Sequence, residues 1–122
     1  MTMLADLVAH LKANVPSVSS RVHPLRAPEQ FAVPLLVYQV KGTVTDHTFE
    51  GVTEFTRTLV QIDVYAATYA AAQATGAEVI AAMSSWTGVK AVIFENEIHM
   101  DESTVTPNLY RVSMDWRVAH DR

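Results

Sequence analysis

"TRTLVQIDVYA", residues 56–66, alternates along its whole length: Val60, Ile62 and Val64 fall on one side, while Arg57, Gln61 and Asp63 share the other with Leu59 and Tyr65. Alternation with period two predicts a half-buried strand, because successive side chains of an extended chain point to opposite faces. A strand of this kind belongs to a sheet with one face covered, so the rest of the chain must supply the cover.

The sequence on the C-terminal side supplies part of it. "ATYAAAQATGAEVIAAMSSW", residues 67–86, places Ala72, Gly76, Val79, Ile80 and Met83 on one helical stripe and is rich in alanine, the best helix former, so a helix is predicted over about residues 68–85. Gly76 costs about 1 kcal/mol against alanine in a helix interior, which points to close approach to the sheet as the compensation. Then come "VKAVIFENEIHM" (89–100), the turn-rich "DESTVTPN" (101–108) and "LYRVSMDWRVAH" (109–120), which together read as a β-hairpin with a long loop. In its second strand Tyr110, Val112, Met114, Trp116 and Val118 face one way, and Arg111, Ser113, Asp115 and Arg117 the other.

On the N-terminal side, "KGTVTDHTFEGVTEF" (41–55) carries two glycines and no sustained period, and reads as a long exposed connection. It is preceded by "RVHPLRAPEQFAVPLLVY" (21–38), in which Pro24, Pro28 and Pro34 bias His23, Ala27 and Val33 toward extended geometry. Pro34 suits the first residue of a strand, and a strand is expected over about 34–42, with room for a short extended piece at 21–25. At the N-terminus, Leu4, Leu7, Val8 and Leu11 predict an amphipathic helix over 3–13, with Thr2 as cap and Asp6 early and Lys12 late along the dipole. Pro16 and the serines of "PSVSS" end it. The resulting expectation is a single α+β domain over residues 1–122, in the order α-β-β-α-β-β: a mostly antiparallel four-stranded sheet with two helices packed on one face.

Composition narrows the function. A chain of 122 residues with 49% hydrophobic and 18% charged residues has the material for one core without a staple or cofactor. Nine Lys and Arg against thirteen Asp and Glu give a net charge of −4, and the cations are scattered, which disfavours a grip on phosphate backbones. The sequence has no cysteine, which removes disulfides, thiolate nucleophiles and zinc–thiolate sites together and suits folding in a reducing cytoplasm. "MTMLADLVAHLKANV" lacks a basic n-region and is not read as a signal peptide, and no run approaches the ~18 apolar residues of a membrane span.

Candidate chemistry is sparse. Glu95, Glu97 and His99 alternate onto one predicted strand face about 6.6 Å apart, a spacing that suits a shared metal, but no second cluster completes a coordination shell and the five histidines lie far apart in sequence, so they read as a solvated face with cross-strand ion pairing to Lys90, Arg111 and Arg117. Asp46, His47 and Thr48 are neighbours on the connection without the nucleophile, base and orienting group that catalysis requires. Ser84 and Ser85 lack a G-x-S-x-G elbow, and neither a P-loop nor a G-x-G-x-x-G turn is present. Trp116 and Tyr110, with Met114 between them, read as core beneath the helices rather than as a stacking platform. His23 and Arg26 beside Pro24 read as an anion site, as an interface or as plain surface. Arginine is favoured at protein contacts, and a proline-stiffened segment loses little entropy on docking.

The segments around the central strand resemble a known family. "RVHPLRAPEQFAVPLLVYQ" followed by "LVQIDVYAATYAAA" is similar to the tail completion, or tail terminator, proteins of long-tailed bacteriophages and gene transfer agents. Arg21, Val22, Pro24, Leu25, Ala27 and Pro28 match that family's R-V-x-P-L-x-A-P segment, Pro34, Val37 and Tyr38 its P-x-x-V-Y strand, and Val60, Gln61, Ile62, Asp63, Tyr65 and Ala66 its V-Q-I-D-x-[WY]-A strand. The layout agrees over about residues 4–120, the specific motifs over 21–72, and Gly51 is the clearest equivalent in the connection.

The resemblance implies a non-enzymatic virion structural protein assembled in the bacterial host cytoplasm. It would form a homo-oligomeric ring, commonly a hexamer, at the head-proximal end of the tail, contacting the tail tube protein and the head–tail connector protein. DNA would pass through such a ring without specific binding. Arg21, His23, Arg26, Asp46, His47 and Phe49 are the candidate interface residues, with no catalytic, cofactor or metal site and no membrane contact. A small ligand-binding or regulatory module of ferredoxin-like type is the alternative reading, and an enzyme built on Glu95, Glu97 and His99 a third.

Overall fold

A computed structural model of the protein describes residues 2–25, 32–48, 51–89, 91–102 and 109–121. In chain order the elements are α1 (Thr2–Asn14), a 3-10 turn (Pro16–Val18), β1 (Val22–Pro24), β2 (Leu35–Thr48), β3 (Gly51–Ala66), α2 (Tyr69–Ser84), β4 (Ala91–Glu102) and β5 (Leu109–Asp121). The strands form one sheet in the order β1-β2-β3-β5-β4.

The alternation read in residues 56–66 is the backbone of this sheet. β3 pairs antiparallel with β5 in an uninterrupted register from Phe55↔Asp121 to Ala66↔Tyr110. Val60, Ile62 and Val64 therefore stand beside Trp116, Met114 and Val112 on one face, and all six are buried. Both helices cover that face. Leu7 and Leu11 of α1 and Ala72, Val79 and Met83 of α2 close over it in a single apolar cluster, and each large side chain fully buried there contributes about 1.5–3 kcal/mol. Trp116 lies in that core, stacked on Phe94 of β4 with ring centroids 4.7 Å apart.

The helices end as their chemistry dictates. Thr68 stands in extended geometry before α2 and its side-chain oxygen accepts from the Ala71 amide at 3.1 Å, a proper N-cap. α1 differs from expectation at its start: the helix already includes Thr2, which is therefore not its cap, and no acidic residue lies in its first turn, though Lys12 does lie in its last. After the Pro16–Val18 turn the chain reverses through left-handed backbone at Ser19 and Ser20 and enters β1. Glu78 of α2 holds this turn, accepting from the Ser17 amide at 3.2 Å and from the Ser17 hydroxyl.

Two features of the sheet depart from the sequence reading. The sheet is five-stranded and mixed: the extended piece at 21–25 becomes β1, which runs parallel to β2 with Val22↔Leu36, His23↔Val37 and Pro24↔Tyr38 in register. The segment 41–55, expected as a long connection, is strand wherever it is described. β2 continues to Thr48 and β3 begins at Gly51, with pairing from Leu35↔Tyr65 out to Thr48↔Gly51. Its register breaks at Val40/Gly42 and again at Thr45/His47, and those breaks erase the period that would have announced a strand. The element order is also not the β-α-β-β-α-β of ferredoxin-like modules, so that alternative has no counterpart in the topology.

Gly76 sits buried on α2 over β5, as the stripe suggested, but a Cβ built there would lie 3.7 Å from Val112 Cγ1, an ordinary van der Waals contact. There is room for a methyl group. Gly76→Ala is therefore expected to stabilise the protein by about 0.5–1 kcal/mol through helix propensity and a less disordered unfolded chain. Gly76→Leu is expected to cost about 1–3 kcal/mol by overpacking against Val112. Thermal or urea unfolding of the two variants checks both signs.

Candidate assembly surfaces

The face of the sheet opposite the helices carries polar side chains in register. Gln39 donates to Gln61 Oε1 at 3.4 Å, and Gln61 donates to both carboxylate oxygens of Asp63 at 3.0 Å. The Q-I-D stretch thus uses its two polar positions as a hydrogen-bonded pair on one face and its isoleucine as core on the other. Asp63 is buried, as are Leu35 and Val37 on that same face. Nearby, Lys41 reaches Asp115 at 3.6 Å, and Arg111 lies over the Tyr65 ring while donating to its hydroxyl at 3.2 Å. Gly42, Thr43, Arg57, Leu59 and Arg117 line an open hollow of about 450 Å³.

The candidate interface residues separate on inspection. Arg21 is half buried. Its Nε donates to the Pro34 carbonyl at 2.9 Å and its Nη2 to the Ser17 carbonyl at 3.4 Å, while its own carbonyl accepts from the Leu36 amide at 2.9 Å. It ties the Pro16–Val18 turn, β1 and the start of β2 together. The Val33–Pro34 peptide beside it is cis. His23 is half buried and pairs with Val37 on β2. Asp46 and His47 lie within β2 at a register break, His47 opposite Val52. Arg26 and Phe49 lie outside the described residues.

Glu95, Glu97 and His99 do not share a face. The ladder between β4 and β5 slips between Phe94 and Asn96, so Phe94 opposes Trp116 and Asn96 opposes Asp115. Across that bulge the alternation inverts. Glu95 turns to the face of Arg117 and reaches its Nε at 3.0 Å, while Glu97 and His99, opposite Met114 and Val112, lie on the helix side and pair with each other at 3.5 Å. His99 Nδ1 is 2.9 Å from the Tyr69 hydroxyl at the start of α2. Among the described residues no three His, Cys, Asp or Glu side chains converge as a metal would require. The Glu95–Arg117 contact is a surface ion pair, of a kind that contributes tenths of a kcal/mol.

Sequence reasoning missed His10. It sits on the face of α1 turned to α2, where its Nε2 donates to the Ala82 carbonyl at 2.7 Å and its ring stacks on Trp86 at 5.7 Å. Its i, i+3 relation to Leu7 was the only available signal.

Six large apolar side chains are exposed among the described residues: Leu25, Val40, Tyr69, Ile93, Phe94 and Ile98. They gather at the two margins of the sheet. Leu25 follows β1 with left-handed backbone, its amide donating to Tyr38 of β2 at 2.8 Å, and Val40 lies on β2 itself. Ile93, Phe94 and Ile98 belong to β4, and Tyr69 packs against His99 of that strand. An arrangement of this kind can bind other protein. No helix among the described residues is long and apolar enough to cross a membrane.

A family model described as tail completion protein gp17 matches residues 5–121 of the chain. No curated protein matches it.

The hydrogen bonds of Arg21 separate a structural role from a docking one. Arg21→Ala is expected to cost about 1–2 kcal/mol, because a charged donor to main-chain carbonyls is lost and the Pro34 carbonyl is partly shielded from water. The check is urea unfolding beside a mass measurement. A side chain used only for docking would lower association and leave the unfolding midpoint where it was.

Proposed function

The chain belongs to the tail completion protein gp17 family, a family of structural phage tail proteins, and from that premise we propose that it closes the tail tube at its head-proximal end as a ring. In this reading copies of the chain, six in the commonest arrangement, seat on the last layer of tail tube protein, stop its growth and present the opposite surface to the head–tail connector. The virion of a long-tailed phage or a gene transfer agent is the setting.

The family match over residues 5–121 carries this proposal. Physical features support it. The charged cluster of Glu95, Glu97 and His99 resolves into a Glu95–Arg117 ion pair and a separate Glu97–His99 contact. The exposed apolar groups gather at sheet margins, where a protein that works through contacts presents them. The net charge of −4 suits a ring that DNA must traverse without adhering, since backbone binding needs convergent cations.

The test is to grow tubes from the tail tube protein with and without the purified chain. Electron micrographs are expected to show arrested tubes with a terminal ring at one end, against tubes of indefinite length in its absence. Tubes that lengthen equally in both cases would refute the terminator reading. A mobility-shift assay with duplex DNA is expected to show no tight, salt-sensitive complex.

A further inference from the structure

We propose that neighbouring copies join head to tail by sheet extension, the outer edge of β4 in one copy adding antiparallel to the edge of β2 that β1 leaves uncovered, residues 39–48, in the next. The proposal rests on the ring reading and names the two surfaces that close the ring.

Backbone accounting is the first ground. β1 covers β2 only at Leu36, Val37 and Tyr38. Among the described residues, nothing pairs with the outer side of β2 from Gln39 to Thr48, nor with the outer side of β4 from Ala91 to Glu102. At about 3.3–3.4 Å per residue these edges run roughly 33 and 40 Å, a close match in length. Rows of unpaired amides and carbonyls are templates for another strand, and native proteins ordinarily hide or blunt them.

Apolar exposure is the second. Scattered exposed hydrophobic residues need no explanation, but here Leu25 and Val40 flank one edge and Ile93, Phe94 and Ile98 line the other. Leu25 is 72% exposed and Ile93 52%. Joining the two edges would remove both groups from water at one contact.

Charge and direction select the pairing. β4 carries Glu95, Glu97, Asp101 and Glu102 and no lysine or arginine, whereas β2 balances Lys41 against Asp46. Two β4 strands brought together about a two-fold axis would set acids against acids, which is unfavourable across a strand pair. β4 against β2 avoids this. Because β2–β3, β3–β5 and β5–β4 are all antiparallel, β4 runs opposite to β2. A rotation about an axis along the strands therefore presents β4 antiparallel to the next copy's β2. Joining two different edges is a heterologous contact, which closes into a ring when the rotation permits.

The chain has no cysteine, so engineered disulfides report on one contact at a time. Val40→Cys or Thr43→Cys on β2 would be combined in one chain with Ile93→Cys, Asn96→Cys or Ile98→Cys on β4. The variants would be assembled on tubes of the tail tube protein and oxidised mildly, with circular dichroism confirming the fold. At least one pairing is expected to give a ladder of covalent multimers on a denaturing gel, ending in a closed species, with none from its single variants. Two results overturn the proposal: dimers from a single β4 cysteine, which would show two-fold pairing, or rings visible by microscopy that no combination cross-links. Tubes without any ring would instead refute the ring reading, and the edge pairing with it.

Discussion

The unbroken antiparallel ladder between β3 and β5 is the constraint on which the rest of this molecule depends. Its register, held from Phe55↔Asp121 to Ala66↔Tyr110, decides in one stroke which side chains of both strands face the helices. A slip of β3 by one residue would send Val60, Ile62 and Val64 to the opposite face and part them from Trp116, Met114 and Val112. No single contact of α1 or α2 could compensate, because both helices bury their apolar stripes against that one surface.

The ladders on either side are less regular. β2 slips against β3 twice and β4 slips against β5 once. Bulges bend a strand and increase local twist, so regularity is kept where the core needs it and relaxed toward the margins. At the β4 bulge the consequence is chemical as well as geometric. One inserted residue parts Glu95 from Glu97 and His99 and turns an apparent ligand triplet into a Glu95–Arg117 ion pair and a separate Glu97–His99 contact.

What was legible in the sequence follows the same division. β3, β5 and both helices announced themselves because their burial is periodic, and Trp116 was readable as core for that reason. β1 was too short for a period, and its parallel pairing with β2 depends on the chain reversal through Ser19 and Ser20, which no alternation encodes. The outer halves of β2 and β3 were read as a connection because glycine and mixed polar residues hide a strand whose register breaks. The threonines there, favourable in a strand, were the signal passed over. Of the candidate surface residues, Arg21 could be weighed only once its carbonyl partners were visible, since nothing in "RVHP" reveals that the guanidinium turns back on its own backbone. Family membership was legible from motif spacing, and the hydrogen-bonded Gln61–Asp63 pair gives part of that spacing a physical reason.

The long β3–β5 ladder also has a mechanical side. Its hydrogen bonds lie perpendicular to the strands. Tension drawn along the strand axis is therefore shared by every rung at once, whereas tension drawn across it falls on the end rung and peels the rest in succession. A domain organised around such a row resists a lengthwise pull better than a sideways one.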